Sequence, residues 1–241
     1  MSERQNILFT GGSGLLGGEL KKIFPDSLFP LKDEFNISNY KQMDEFLNNK
    51  DIKIIFHGAA FTSPPKVDKN PSAAIDANII GTCSMVKVCI KYEIRLVYVS
   101  TDYVFRGDTG NYEEDEPLYP VNKYAWSKLG GECAVRMYDK SVIIRTSFGP
   151  NDFPYDKAFI NQWTSRQPVR IIAKKMANVI NSDFLGVIHI GGDRKTVYDY
   201  AASISPGKQI GKLNTDEVSF KVPKDTSLNI KRYESIFNEK G

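Results

Sequence analysis

The chain has 241 residues, of which 41% are hydrophobic and 25% charged, enough to bury one sizeable core or a domain with a small appended lobe. Its net charge is only +3, with lysines dispersed among acids, so composition makes no electrostatic case for nucleic acid or a membrane surface, and Lys208 to Lys224 reads as a solvated face. The three cysteines, Cys83, Cys89 and Cys133, exclude a disulfide framework by number and a metal site by spacing.

Cys83 and Cys89 fall in an apolar helical pattern and read as small core residues, which suits a reducing cytoplasm. Ser2 to Gln5 leads at once into a short strand rather than a signal peptide. No apolar run approaches the ~20 residues of a membrane span. Asn6–Thr10 is strand-like, followed by a glycine-rich turn and a helical pattern over Leu15–Phe24. Ser27–Leu31 reads as a second short strand and Tyr40–Asn48 as a helix with Met43, Phe46 and Leu47 on one face. Lys53–Ala59 is a strand, Ser72–Tyr92 a long amphipathic helix, and Arg95–Ser100 another strand. A helix over Lys123–Tyr138 and a strand over Ser141–Arg145 follow. Apolar runs of this length suit parallel strands buried on both faces, and their alternation with helices implies right-handed βαβ units in a doubly wound α/β sheet of Rossmann type. Beyond Ser147 the pattern predicts helices over Lys157–Ser165, Lys174–Ile180 and Val197–Ala202, an apolar stretch at Val169–Ala173 and a strand at Val187–Ile190. The expected division is a nucleotide-binding domain over 1–148 and a small C-terminal substrate lobe over 149–241.

Thr10–Gly17 reads TGGSGLLG and joins the first strand to the first helix. That context lets a tight turn bring backbone N–H groups and a helix N-terminus against a pyrophosphate. A bare glycine-rich turn is the alternative, and the position in the chain favours nucleotide binding. Tyr124 and Lys128 lie four apart in NKYAWSK, on one helix face. An ammonium at that spacing lowers a phenol from its ordinary pKa near ~10. Such a pair arises readily by chance in a chain with 12 tyrosines, so its weight comes from lying downstream of the glycine loop and of the strand that ends in Ser100-Thr101-Asp102-Tyr103. A surface turn would also explain those four residues. At the end of a buried parallel strand, however, Thr101 is placed to touch a substrate carbonyl.

The glycine spacing, His57-Gly58-Ala59-Ala60, Asn78 and the Tyr–Lys pair resemble the extended short-chain dehydrogenase/reductase superfamily. STDYVF, Gly107 and YEEDEPLYPVNKYAWSKLGGE are similar to the dTDP-4-dehydrorhamnose reductase-like family of sugar-nucleotide reductases, with matching spacing from Ile7 to about Ser147. IIRTS at 143–147, GVIHIGG at 186–192 and DTSLN at 225–229 resemble further family segments. The resemblance implies Thr101, Tyr124 and Lys128 as catalytic residues, with Asp102 and Tyr103 beside Thr101 in the sugar pocket. It implies NADP or NAD held by Gly11, Ser13, Gly14, Leu15, Leu16, Gly17, Lys32, Asn36, Ile37, Ala59, Ala60, Asn78, Tyr124 and Lys128. Alone, Asn78 would read as an ordinary helix residue, and His57 as a packed, hydrogen-bonded one. Lys32-Asp33-Glu34 offers both signs to the 2′ position of the cofactor, with a slight preference for NADP. The implied activity is NAD(P)H-dependent reduction of a nucleotide-linked 4-keto-6-deoxysugar, as in dTDP-rhamnose biosynthesis. Related dehydratases carry Glu where this chain has Tyr103, which favours reduction. The implied setting is cytoplasmic, with no metal, nucleic acid or membrane partner and a homodimer through the two long helices. Between Ile172 and Lys175 the family usually has a longer substrate-lobe segment, so the lobe is expected to be reduced. That shortening keeps two other readings in play: a regulatory NAD(P)-binding protein, as in the regulatory subunit of methionine adenosyltransferase, and a sugar-nucleotide epimerase.

Overall fold

The computed structural model describes residues 6–218 and 222–237; Ser2–Gln5 and residues 219–221 of the lysine-rich stretch lie outside them. The chain opens with β1 (Ile7–Thr10), α1 (Leu15–Ile23), α2 (Tyr40–Leu47), β2 (Ile54–His57) and α3 (Pro64–Lys69). A continuous helix follows, made of α4 (Pro71–Ala74), a π-helical turn (Ile75–Ile80) and α5 (Gly81–Tyr92). Then come β3 (Arg95–Val99), a 3-10 turn (Asp102–Val104), α6 (Lys123–Val135) and β4 (Ser141–Thr146). The remainder holds β5 (Phe148–Gly149), β6 (Lys157–Phe159), β7 (Trp163–Thr164), β8 (Gln167–Pro168), α7 (Val169–Ile180) and β9 (Gly186–Ile190). It ends with β10 (Lys195–Thr196), α8 (Val197–Ile204), β11 (Gly211–Leu213) and α9 (Lys231–Phe237).

The central sheet is all parallel in the order β1-β2-β3-β4-β9. Period-two alternation divides its apolar residues between two layers. Ile7, Phe9, Phe56, Val97, Val142, Ile144, Ile188 and Ile190 face α1 and α7, while Leu8, Ile55, Leu96, Tyr98 and Ile143 face α2, α5 and α6. Burial on both faces explains why these strands read as continuous apolar runs. The fold is thus a Rossmann-like doubly wound sheet.

Several expectations change. Ser27–Leu31 is not a strand: only Leu28 bridges to Leu8, through Phe9 N to Leu28 O (2.8 Å) and Leu28 N to Ile7 O (2.9 Å). Pro30 brings no N–H, so the ladder stops there. Lys157–Ser165 forms β6 and β7 instead of a helix, because each pairs with a strand distant in sequence, β11 and β10. Val169–Ala173 and Lys174–Ile180 form one helix, α7, whose face of Val169, Ile172, Ala173, Met176 and Ile180 is buried. It runs unbroken through Ile172–Lys175. The crossing from β4 to α7 contains four short strands and no helix. The division at 148 does not follow the chain either: α7 packs in the same core cluster as α1, and β9 pairs with β4 in the central sheet. Among the described residues, a small separate core of Phe153, Ala158, Val197, Tyr200 and Ala201 gathers parts of the β4–α7 crossing and of α8.

By length and composition, Pro71–Tyr92 is long and apolar enough to cross a bilayer, with mean hydropathy 1.4. Its Met85, Val86, Val88 and Cys89 are sheet-facing core. Cys83 is half-buried and Cys133 exposed, and all three cysteines are free thiols.

Candidate active site

The C-terminal ends of β1 to β4 open onto one cleft of about 820 Å³. This is the position at which a doubly wound sheet presents its loops, beside the switch point between β1 and β2. Leu28 lies against the odd-numbered backbone of β1, and Lys53 N bonds Asn6 O on the other edge, so the chain departs from β1 in two directions.

Every residue from Gly11 to Ala60 that the resemblance assigns to the cofactor lines this cleft. Gly11 has φ +80°, and a Cβ there would meet Ala59 N at 2.9 Å. A Cβ on Gly17 would overlap the carbonyl of Gly11, so only glycine lets α1 start this close to the β1 turn. Gly14 caps α1 without a side chain, which leaves the helix's first N–H groups open toward the cleft. At the outer end, Glu34 Oε2 accepts Leu31 N (2.8 Å) and Gln42 Nε2 donates to Asp33 O (2.5 Å). Glu34 is thereby engaged locally, while Lys32 and Lys21 line the cleft. The Asn36 side chain accepts Ser38 N (3.0 Å) and shapes the loop that carries Ile37.

Asn78 does not line the cleft. It is buried in the π-helical turn, where it accepts Phe61 N (2.7 Å) and donates to Phe61 O (3.0 Å) and Ser127 Oγ (2.8 Å). It therefore ties the loop after β2 to α6. His57 is structural as expected: its ring nitrogens bond Thr10 Oγ1 (2.9 Å) and Thr82 Oγ1 (3.2 Å), and burial, then the Lys128 charge, pull its pKa down to about 3.

Thr101, Tyr124 and Lys128 meet at the inner end. The β3–β4 ladder ends at Ser100 N to Ile144 O (2.7 Å), and extended Thr101 then caps the 3-10 turn by accepting Tyr103 N (3.3 Å). Asn122 caps α6 through Ala125 N (2.8 Å), which sets Tyr124 in the first turn with Lys128 one turn behind. Thr101, Tyr124 and Lys128 all line the inner end of the cleft, and the Thr101 hydroxyl acts to lower the Tyr124 phenol. Lys128 is buried, its Nζ 4.2 Å from the Tyr98 ring centroid and its carbonyl accepting Tyr98 OH (3.0 Å). Behind them, Glu132 accepts from Ser100 Oγ (2.8 Å) and Arg145 Nη2 (2.7 Å) in a fully buried ion pair.

The electrostatics differ from expectation in one respect. Burial raises the Tyr124 phenol above its ordinary value, the Thr101 hydroxyl opposes this, and Asp102 and Tyr103 add to it. The expected lowering by Lys128 does not dominate, because burial pulls Lys128 itself down to about 7 against the pull of Glu132. Tyr124 is thus a neutral phenol with a proton to give. Asp102 is raised by burial, opposed by its bond from Thr226, the charge of Arg166 and its bond from Thr101.

Sequence reasoning did not single out Arg166, Gln162 or Thr226 as site residues. Arg166 lines the cleft, donates to Ser147 Oγ (3.2 Å) and has no ion pair among the described residues. Gln162 Nε2 approaches Tyr103 OH (3.5 Å). Thr226 Oγ1 donates to Asp102 Oδ2 (2.7 Å). DTSLN was legible only as a family segment, and nothing local marks Arg166. Among the described residues no group of His, Cys, Asp and Glu is placed to hold a metal.

Residues 5–219 match the model of the RmlD substrate binding domain. The chain belongs to that family. It is 30% identical over 77% of its length to a dTDP-4-dehydrorhamnose reductase of Aggregatibacter actinomycetemcomitans, and spans 62% of that relative's length. It is 23% identical over 96% of its length to methionine adenosyltransferase 2 subunit beta of Bos taurus, covering 82% of that protein. The crystal structure of a hypothetical dTDP-4-dehydrorhamnose reductase from Sulfolobus tokodaii superposes with TM-score 0.87 at 26% identity, covering 98% of this chain and 96% of that one. A Bacillus anthracis dTDP-4-dehydrorhamnose reductase, solved in complex with NADP, shares the fold at TM-score 0.86 and 22% identity, over 98% and 92% of the two chains.

Proposed function

We propose that this family member is an NAD(P)H-dependent reductase of a nucleotide-linked 4-keto-6-deoxysugar, of the dTDP-4-dehydrorhamnose class. The observation that carries the reading is the meeting of Thr101, Tyr124 and Lys128 in the cleft onto which the Gly11–Gly17 loop opens. The cleft suits a dinucleotide: uncapped helix N–H groups stand at one end, and a buried, unpartnered Thr146 Oγ1 lies in its wall. The loop and α1 N-terminus would hold the pyrophosphate, and Lys128 the ribose. Lys32 and Lys21 favour a 2′-phosphate and hence NADP. A bound reduced nicotinamide supplies hydride to the carbonyl carbon. Tyr124 gives its proton to the carbonyl oxygen, Thr101 stands beside it, and Asp102 and Tyr103 border the sugar. Arg166 places a cation at the substrate end, which complements a nucleotide diphosphate. A cytoplasmic homodimer through α5 and α6 belongs to the same reading.

Thermal melting with NADPH and NADH, paired with a screen of dTDP-, UDP- and GDP-linked keto-sugars, tests it. Tyr124→Phe is expected to lose roughly 10²–10⁴-fold in turnover while keeping the cofactor-induced rise in melting temperature. A Phe variant as fast as wild type, or no shift with either nucleotide, overturns the reading. The methionine adenosyltransferase relative, matched over more of both chains than the Aggregatibacter reductase, supports a second reading as a regulatory NAD(P)-binding protein. Tight cofactor binding without turnover of any keto-sugar nucleotide would favour it.

A further inference from the structure

The hydroxyl of Thr101 has one proton and two acceptor sites, and the proton and one acceptor site are engaged within its own turn. It donates to Asp102 Oδ1 (3.1 Å) and accepts Tyr103 N–H (3.3 Å), and it lines the cleft together with Tyr124. Its proton is thus committed to Asp102. Thr226 Oγ1 holds the other Asp102 oxygen at 2.7 Å, and Thr101, Asp102 and Thr226 are all buried. A file of hydrogen bonds therefore runs from the C-terminal segment through Asp102 to Thr101, which shares the inner end of the cleft with the Tyr124 phenol.

We propose that Thr226 is a positioning residue for the reduction, a standing partner of Asp102 that frees Thr101 to turn its proton toward Tyr124 when the phenol gives up its own. This rests on the reductase reading. As the Tyr124 O–H bond breaks and its proton passes to the carbonyl oxygen, the oxygen left behind is a phenolate in a buried site. It needs a donor, and the Thr101 hydroxyl lines the same end of the cleft. Turning the Thr101 proton from Asp102 to the phenolate would strip a buried carboxylate of one of its two hydroxyl donors. Thr226 keeps the carboxylate bonded throughout, so the turn does not leave it bare. No bond other than the Tyr124 O–H is broken by the side chains, and the charge moves from the carbonyl oxygen to Tyr124. Without Thr226, Thr101 is held on Asp102 and the phenolate is unsupported.

The charged and titratable groups that face Asp102 are Arg166 from the β7–β8 segment, Tyr103 from its own turn and Tyr124 from α6. All three remain in a Thr226 variant, so a change in Asp102 titration reports the lost hydroxyl. The experiment compares wild type with Thr226→Val and Thr226→Ser. It reads kcat and KM for the keto-sugar nucleotide across pH. It also reads the Asp102 carboxyl by NMR of ¹³C-aspartate-labelled protein, assigned with Asp102→Asn. Thr226→Val is expected to lower kcat at least about tenfold with little change in KM, and to raise the Asp102 pKa. Thr226→Ser is expected to restore both. If Thr226→Val does not fold, Thr226→Ala removes the hydroxyl without setting a methyl against the carboxylate. Wild-type kcat and an unmoved Asp102 titration in the hydroxyl-less variant overturn the proposal. So does a Ser variant as impaired as Val, which would make packing the cause. If wild type reduces no keto-sugar nucleotide, the substrate reading fails, while the Asp102 titration still decides whether Thr226 supports that carboxylate.

Discussion

Lys128 shows how one residue carries opposite demands from folding and from chemistry. Its ammonium is buried over the Tyr98 ring, and its pKa falls to about 7 from an ordinary value near 10.5. A folded-state pKa below the unfolded one means that the folded protein is penalised wherever the unfolded chain holds the proton more firmly. The penalty is full below pH ~7 and fades as pH rises toward ~10. Lys128→Met keeps the apolar stem and removes the charge. It is expected to raise stability at pH 6, by up to a few kcal/mol, with the gain shrinking toward pH 10. Turnover should fall at the same time. Urea unfolding of both proteins at pH 6, 8 and 10 checks this, and a pH-independent difference would contradict it. The Tyr–Lys spacing was legible in sequence because (i, i+4) fixes a helix face. Which of the two side chains is perturbed, and in which direction, depends on burial by residues far along the chain.

At the scale of elements, the glycine loop and the π-helical turn do different work on the same cleft. Gly17→Ala forces a Cβ into the Gly11 carbonyl, and neither group can move without shifting α1 against β1. It is expected to weaken NADPH binding at least tenfold and to cost roughly 1–3 kcal/mol of stability. Isothermal titration with NADPH and a denaturant curve measure the two. Gly18, one residue on, has open space around its Cβ position, so Gly18→Ala is the control expected to leave both intact. Asn78 sits behind the wall, bonded to Phe61 and Ser127, and shapes the cleft without entering it. Local pattern found the glycine loop because a strand, a turn and a helix meet within ten residues. It misread Lys157–Ser165 because the pairing of β6 with β11 is worth more than a short segment's helical preference.

At the scale of the whole molecule, the two histidines of the chain are both buried between layers. Burial takes each down to about 3, aided by the Lys128 charge at His57 and the Arg145 charge at His189. The unfolded chain takes up these protons near pH 6.5 and the folded protein does not, so stability is lost as pH falls below 6.5. At pH 5 the loss is about 2 kcal/mol per histidine. Melting temperature should fall between pH 6.5 and 5. A His57→Gln/His189→Gln variant should show a flatter slope over that window, whatever its absolute stability; an unchanged slope would place the acid sensitivity elsewhere. His189 also joins the two ends of the late chain, since Nδ1 meets Asn229 O at 3.2 Å beside the DTSLN segment. The layered sheet, the glycine loop and the Tyr124–Lys128 pair follow from the sequence alone, because each rests on periodicity or on spacings within one or two turns, and Thr101 joins the pair through its strand end and the family resemblance. Only the tertiary structure decides that α7 and β9 return to the central sheet, that Arg166 lines the cleft, and that Thr226 reaches Asp102 from 124 residues away. Those contacts join segments with no local signature, and they exist because the sheet must bury both faces and the carboxylate it encloses must find donors.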